Sequence, residues 1–296
     1  MPSLTAHYLF GEEVLKKLDN GEKSLIERNR AFYDWGTLGP DILFFTPKMK
    51  DMWGELPVRK IGQQMHEQGA KLMFDAMVKY AEKSEQIKAY LYGFLCHIAL
   101  DGTVHPLVYS VVDVWKKSDE NVSDFELHLK VEADMETVSI RWLKDGLLPP
   151  EFKLYRIFEQ HMFAVKTLAQ MYAEAIKEVY GGEITARQVE SAVTGTYFVM
   201  KKSYDRTGLK KNLVYTVESI KKMPHLASSF IMSVTEDTDR DYLNSEEREW
   251  TNVFTGETSE DSYFTLFEKA VEKATKQIKG FGMDVENISL KTGERI

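Results

Sequence analysis

Two histidine–carboxylate pairs in this sequence have the spacing to grip a metal ion from one face of a helix. His97 and Asp101 stand four residues apart in Phe-Leu-Cys-His-Ile-Ala-Leu-Asp, and His128 and Glu132 repeat the interval in His-Leu-Lys-Val-Glu. Side chains at i and i+4 lie over one another on an α-helix, with Cβ atoms about 5–6 Å apart. His105 follows Asp101 by four residues, but Gly102 and Pro106 bracket it. The residue before a proline is pushed away from helical geometry. A break in the helix is therefore expected at His105, freeing its imidazole for a different ion from the one His97 would hold. Asp101, between them, is placed to bridge two ions. Five of the seven histidines (His7, His66, His97, His105 and His128) fall within the first 128 residues.

A single His-x-x-x-Asp or His-x-x-x-Glu is usually an ion pair on a helix surface. Two such pairs, linked through His105 and set in apolar helices, would bury several charges that need partners. Inward-facing i, i+3 or i+4 pairs on neighbouring helices are how helical bundles build polynuclear metal sites. Imidazole mixed with carboxylate suits Zn²⁺, with Fe²⁺, Mn²⁺ or Co²⁺ less favoured.

The elements that must position these residues have helical periodicity almost throughout. Ile87, Tyr90, Leu91, Phe94, Leu95 and Ile98 follow the i, i+3, i+4 pattern of a buried helix face. Ser123 and Glu126 have the spacing of a capping box, opening a helix that runs towards Lys144 and ends near Gly146. Pro149 and Pro150 punctuate the chain. After them, 152–179, 184–204 and 213–222 are expected to be helical, 233–261 is polar and irregular, and 263–279 forms a last helix. The fold class expected is all-α. Residues 1–149 would form the metal-site region, and 150–296 a helical C-terminal region packed on it as one domain.

A hydrophobic content of 43% with 28% charged residues fits a globular chain and argues against disorder. No apolar run reaches the roughly 18 residues of a membrane span. The N-terminal Met-Pro-Ser-Leu-Thr-Ala-His has neither a basic nor an apolar leader segment, and one cysteine permits no internal disulfide. The cytoplasm is the expected location. A formal charge of −8 opposes broad attraction to nucleic acid or anionic lipid, although bound dications would cancel part of it. A basic cluster at Lys201, Lys202, Arg206, Lys210 and Lys211, continuing at Lys221 and Lys222, is ordinarily a solvated helix face and less often a phosphate-binding patch.

In their order along the chain, these residues resemble the zinc-dependent phospholipase C family, which shares an all-α bundle with the single-strand-specific zinc nucleases. That family runs from an N-terminal histidine through an aspartate and a histidine to His-x-x-x-Asp, a further histidine, and a final His-x-x-x-Glu or His-x-x-x-Asp. Here His7, Asp41 in Gly39-Pro40-Asp41, His66, His97 with Asp101, His105, and His128 with Glu132 fill every position. The resemblance covers residues 7 to 132, and no motif is matched beyond residue 150. It implies two or three zinc ions. Asp41, His66, His97 and Asp101 would hold the first, and His105, His128 and Glu132 the second. His7 and Asp101 would hold the third, together with the terminal amine and carbonyl. Methionine is commonly trimmed before proline, and trimming of Met1 would put His7 sixth from the new end, a spacing like that of the nucleases.

A cluster of this kind suits phosphoester hydrolysis, because zinc neutralises developing phosphoryl charge and lowers the pKa of water towards about 7. The resemblance makes Asp41 the candidate proton acceptor. The expected activity is phospholipase C-like cleavage of a phosphodiester, with a phosphoester or phospholipid as partner. A nuclease on the same scaffold and a non-catalytic metal-binding protein are the alternatives. Phe44, Phe45, Trp53 and Tyr109 are candidates to line a headgroup pocket, though core packing is their more common role. The segment 250–261 is a candidate flap. His161 is expected on a helix face, His225 in a loop, and Cys96 in the core.

Overall fold

The computed structural model describes residues 4–47, 56–118, 122–237, 239–281 and 285–296. It is all-α, apart from one two-stranded hairpin among the described residues. Helices α1 (Leu4–Lys17), α2 (Asn20–Arg28) and α3 (Arg30–Thr37) lead through a 3₁₀ turn, Gly39–Leu43, to α4 (Pro57–Glu67) and α5 (Lys71–Ala81). The long α6 (Glu85–Lys116) and α7 (Asp124–Leu143) follow. The second half holds α8 (Leu154–Gln160), α9 (Val165–Tyr180), α10 (Ala186–Ser203), α11 (Leu209–Ile220) and α12 (Leu226–Ser229). The hairpin of β1 (Trp250–Thr251) and β2 (Thr258–Ser259) precedes α13 (Tyr263–Lys279).

The axis of the molecule is α6, with α1, α3, α5, α7 and α13 packed around it. By length and composition α6 could cross a bilayer, but most of its apolar window is buried inside the protein. The Ser84 hydroxyl caps it by accepting from the Ile87 N–H at 3.4 Å. Its closest neighbour is α3, and glycine makes that approach possible. A Cβ on Gly36 would lie 2.1 Å from the Tyr90 carbonyl oxygen, and one on Gly93 would lie 2.2 Å from that of Tyr33. Backbone therefore meets backbone, and the chain leaving α3 enters the 3₁₀ turn beside His97. Helix α13 buries Leu266, Phe267, Ala270, Val271, Ala274 and Ile278 on one stripe against α6 and α1. Burying a side chain such as Phe267 contributes about 1.5–3 kcal/mol.

Three local expectations are corrected. The helix does not break at His105, because α6 runs through Pro106. A proline within a helix forfeits one i→i−4 hydrogen bond, and the helices packed around α6 outweigh that loss. The capping box at α7 is only half formed. Ser123 Oγ accepts from the Glu126 N–H at 3.2 Å, but the Glu126 carboxylate accepts instead from the backbone N–H of His225 at 3.2 Å. The helix expected over 152–179 is divided into α8, a 3₁₀ turn at Met162–Ala164, and α9. Helices α8 and α10 pack against α3 and the Gly39–Leu43 turn, and α9 packs against α5, so the two halves of the chain are in contact.

Candidate metal centre

The turns and helices just described deliver eight histidine and carboxylate side chains to one buried place. Helix α1 carries His7, the 3₁₀ turn Asp41 and α4 His66; α6 carries His97, Asp101 and His105, and α7 carries His128 and Glu132. All are buried. They fall into three groups whose ligand atoms could hold an ion: His7, His97 and Asp101; Asp41, His66 and His97; His105, His128 and Glu132. The i, i+4 spacing acts as expected, with His97 Nε2 3.0 Å from Asp101 Oδ2 and His128 Nε2 3.0 Å from Glu132 Oε1. Asp101 also faces His7 Nε2 at 3.2 Å and His66 Nε2 at 3.5 Å, so it lies between imidazoles from three helices. Asp41 Oδ1 is 3.2 Å from His66 Nε2. His105 keeps its helical position yet joins the group of α7, its Nε2 3.2 Å from Glu132 Oε1. One helical turn of α6 is enough to carry it from one ion's neighbourhood to the next.

Two contacts fix which nitrogen of a ring is available. His66 Nδ1 lies 2.8 Å from the Gly62 carbonyl, and His105 Nδ1 lies 2.5 Å from the Leu290 carbonyl. A carbonyl oxygen can only accept, so each Nδ1 carries a proton and each Nε2 is left to face the carboxylates. This is the outer-shell arrangement that orients imidazoles for metal binding. Gly39 completes the cradle. It has φ +49°, and a Cβ there would lie 2.3 Å from His97 Cγ, so only glycine lets Asp41 and His97 share this corner.

The electrostatics favour ionised carboxylates among the imidazoles. Burial pushes the Asp101 carboxyl up, but His105, His97 and His7 outweigh it and hold the group well below the usual carboxylate range. Glu132 is likewise driven well below that range against its burial, with His128 and His105 among the causes. Asp41 is also lowered against its burial, with His66 and His97 among the causes. Burial disfavours a charged His66, yet Asp101 and Asp41 raise it to about 10. His105 is also raised, against burial, by Asp101 and Glu132. Burial lowers His97 and His128.

The donor set fits zinc. Both oxygens of Asp41, both nitrogens of His97, His7 Nδ1 and His66 Nε2 are buried and find no hydrogen-bond partner among the described residues. Native structures leave few such atoms, and a bound ion is one of their explanations. Ligands about 2.0–2.1 Å from a tetrahedral zinc stand roughly 3.3 Å from one another. The imidazole–carboxylate separations of 3.0–3.5 Å bracket that edge.

Residues 6–206 match the sequence model of the zinc dependent phospholipase C family. The chain belongs to this family. No curated protein matches it, and no solved structure does.

The centre opens into a cavity of about 350 Å³, reached past His66, His105 and His128. Of the aromatic candidates, Phe44 and Tyr109 line it. Phe45 does not: it packs edge-on against Phe230, in a different cavity. Trp53 lies outside the described residues, as do Met1 and Pro2, so the terminal part of the third ligand set does too. Tyr109 packs on His128 and on Phe254, which brings the tip of the 250–261 hairpin to the rim. His161 ends α8, with Nδ1 3.4 Å from Asp34 Oδ2. His225 N-caps α12 and stacks on Tyr215. Cys96 is a buried core thiol pushed up to about 12 by burial, 3.3 Å from the Tyr33 hydroxyl. Sequence reasoning did not find Phe125, Lys291 or the Leu290 carbonyl. Phe125 and Lys291 stand at the mouth of the cavity, and no local pattern links Leu290 to a ring 185 residues away.

Proposed function

We propose that the protein is a zinc-dependent phosphoester hydrolase that cleaves a phosphodiester in the manner of a phospholipase C. The observation that carries this reading is the set of orphaned, buried ligand atoms of His7, Asp41, His66 and His97 behind an open cavity. A purely structural zinc site is closed, whereas this one adjoins space for a substrate. Asp41, His66, His97 and Asp101 would hold one ion, and His105, His128 and Glu132 another. His7 with Asp101 would contribute to a third. Bound there, zinc would neutralise phosphoryl charge and acidify a water.

The chain's own groups have separate tasks. Asp41 is the proton acceptor of the hydrolysis, and His66 and His97 help to keep its carboxylate ionised. The carbonyls of Gly62 and Leu290 hold His66 and His105 with Nε2 turned to the centre. At the mouth, Phe44, Tyr109 and Phe125 offer apolar faces, Lys291 a cation, and Glu67 and Asp124 carboxylates. That mixture suits a phosphodiester carrying an apolar body and a cationic headgroup, hence a phospholipid. A nucleic-acid strand would want a basic groove, and this mouth has two carboxylates to one lysine.

The reading is tested by metal analysis of the purified protein and by hydrolysis of a chromogenic phosphodiester with and without chelator. At least two tightly held zinc ions per chain and chelator-sensitive turnover are expected. Asp41→Asn should lower turnover by about 10²–10⁴-fold while most of the metal stays bound. Retained turnover in that variant would remove Asp41 as the base. Metal without hydrolysis of any phosphoester would leave a binding protein.

A further inference from the structure

Helix α11 faces the wrong way for a helix of a globular core. At 100° per residue, Leu209, Leu213, Val217 and Ile220 share a stripe about 80° wide, with residue 218 on the opposite side. Core helices turn such a stripe inward. Here it points to solvent: Leu209 is 72% exposed, Leu213 66% and Ile220 76%, with Met223 exposed just beyond. What α11 buries is Glu218, whose carboxylate accepts from the backbone N–H groups of Ala227 at 2.7 Å and Ser228 at 3.3 Å, the first turn of α12. The apolar side has been left out of the protein by the docking of a polar one.

The exposed charge on the stretch of chain that carries the stripe has one sign. Between Phe198 and Leu226 the only carboxylates are Asp205 and Glu218, and both are buried. Asp205 is used up by the backbone N–H groups of Thr207 at 3.1 Å and Lys211 at 2.8 Å. Lys202, Arg206, Lys221 and Lys222 are exposed and have no carboxylate partner among the described residues. A chain whose formal charge is −8 thus carries a local cationic collar around an exposed apolar helix. This is the same basic cluster that by sequence alone is a solvated helix face. The structure adds the apolar stripe that such a face would not have.

We propose that α11 is a docking helix for an anionic lipid surface. Its apolar stripe enters the boundary between headgroups and acyl chains, and Lys202, Arg206, Lys221 and Lys222 meet the lipid phosphates. The helix lies beyond the residues matched to the family, and the proposal does not depend on the hydrolytic reaction. Its position gives it a use nonetheless. The backbone of His225, after α11, bonds to Glu126, and the adjacent Phe125 stands on the rim of the metal-centre cavity. Docking and cavity mouth therefore share the first turn of α7.

The test is co-sedimentation of the full chain with vesicles of phosphatidylcholine and phosphatidylserine in equal parts, and with vesicles of phosphatidylcholine alone. Binding is measured directly, so the result stands whether or not any phosphodiester is cleaved. The wild type should partition onto the anionic vesicles, and added salt should weaken it. Leu213→Ser with Ile220→Ser should lower the partition by about tenfold for each side chain. Its melting curve, and any hydrolysis of a soluble chromogenic ester, should be unchanged. Lys202→Glu with Lys221→Glu should abolish the preference for anionic over neutral lipid. Absence of binding to either vesicle would overturn the proposal, as would undiminished binding by the serine variant. A dimer abolished by the same serine substitutions, without vesicle binding, would assign the stripe to a second copy and overturn it too.

Discussion

The metal centre and the cluster around Arg30 are two answers to one problem, the burial of carboxylates in a helical bundle. Both use an i, i+4 pair on a helix, His97 with Asp101 in one case and Arg30 with Asp34 in the other. Around Arg30 the chain supplies its own cation. Arg30 Nε donates to Asp34 Oδ1 at 2.5 Å, its other arm reaches Glu12 and the Tyr8 hydroxyl, and Lys144 bonds to Glu12 at 3.3 Å. Around Asp101 the ion-pair partners among the described residues are imidazoles, which carry no charge unless they take a proton. In the first cluster each carboxylate has a guanidinium or ammonium partner as folded. The second leaves buried atoms of His7, Asp41, His66 and His97 without hydrogen-bond partners, a set that a bound metal ion would satisfy. The informative difference is therefore whether a buried acidic group brings its own cation.

Three substitutions bear on that contrast. The largest effect is expected at Asp101, the carboxylate shared by His7, His66 and His97. Asp101→Ala should remove at least one metal ion per chain, seen by elemental analysis, and lower phosphodiester turnover by about 10³-fold or more. A full metal complement in this variant would mean that Asp101 does not bridge.

Arg30→Met should do the reverse. Leaving Glu12 and Asp34 without their guanidinium should cost about 3 kcal/mol in denaturant unfolding, with the metal content unchanged. Loss of metal there would show that the two clusters are coupled, and the contrast would fail.

The smallest effect concerns pH. Burial raises Asp34 to about 7, with Arg30 opposing and Glu12 adding to the rise. Its Oδ2 and His161 Nδ1 are 3.4 Å apart and neither finds a hydrogen-bond partner, so a proton on Asp34 would satisfy both. A carboxyl whose folded pKa is raised contributes stability that is present below its unfolded pKa of about 4 and is lost as pH rises through the folded value. Asp34→Asn keeps a donor for His161 and an acceptor for Arg30 but cannot titrate. Relative to wild type, it should remove about 2.5 kcal/mol of the stability lost between pH 5 and pH 8. Identical pH profiles for the two proteins would place the Asp34 pKa outside that window.

Much of the centre was legible because its grammar is local. The His97–Asp101 and His128–Glu132 intervals translate directly into shared helix faces, and the apolar periodicity around them predicted that those faces are buried. His7, Asp41 and His66 had no such interval. They were reached through the family resemblance, and the packing of α3 on α6 through Gly36 and Gly93 brings the turn that carries Asp41 to His97. The pre-proline rule misled at His105, because a local preference of a residue or two cannot outweigh a helix packed on many sides. The aromatic candidates divided for a similar reason. Phe44 and Phe45 are neighbours in sequence, but they point into different cavities.

The sequence by itself determined the all-α class, the chemical types of the ligands and their order, since these depend on residue identity and on intervals of one helical turn. Only the tertiary structure decided the rest. It brings the Leu290 carbonyl to His105 and thereby the tautomer of that ring, sets Asp101 among imidazoles from three helices, and turns the apolar stripe of α11 outward. Contacts between residues far apart in the chain are set by how whole helices pack, and no local spacing encodes them.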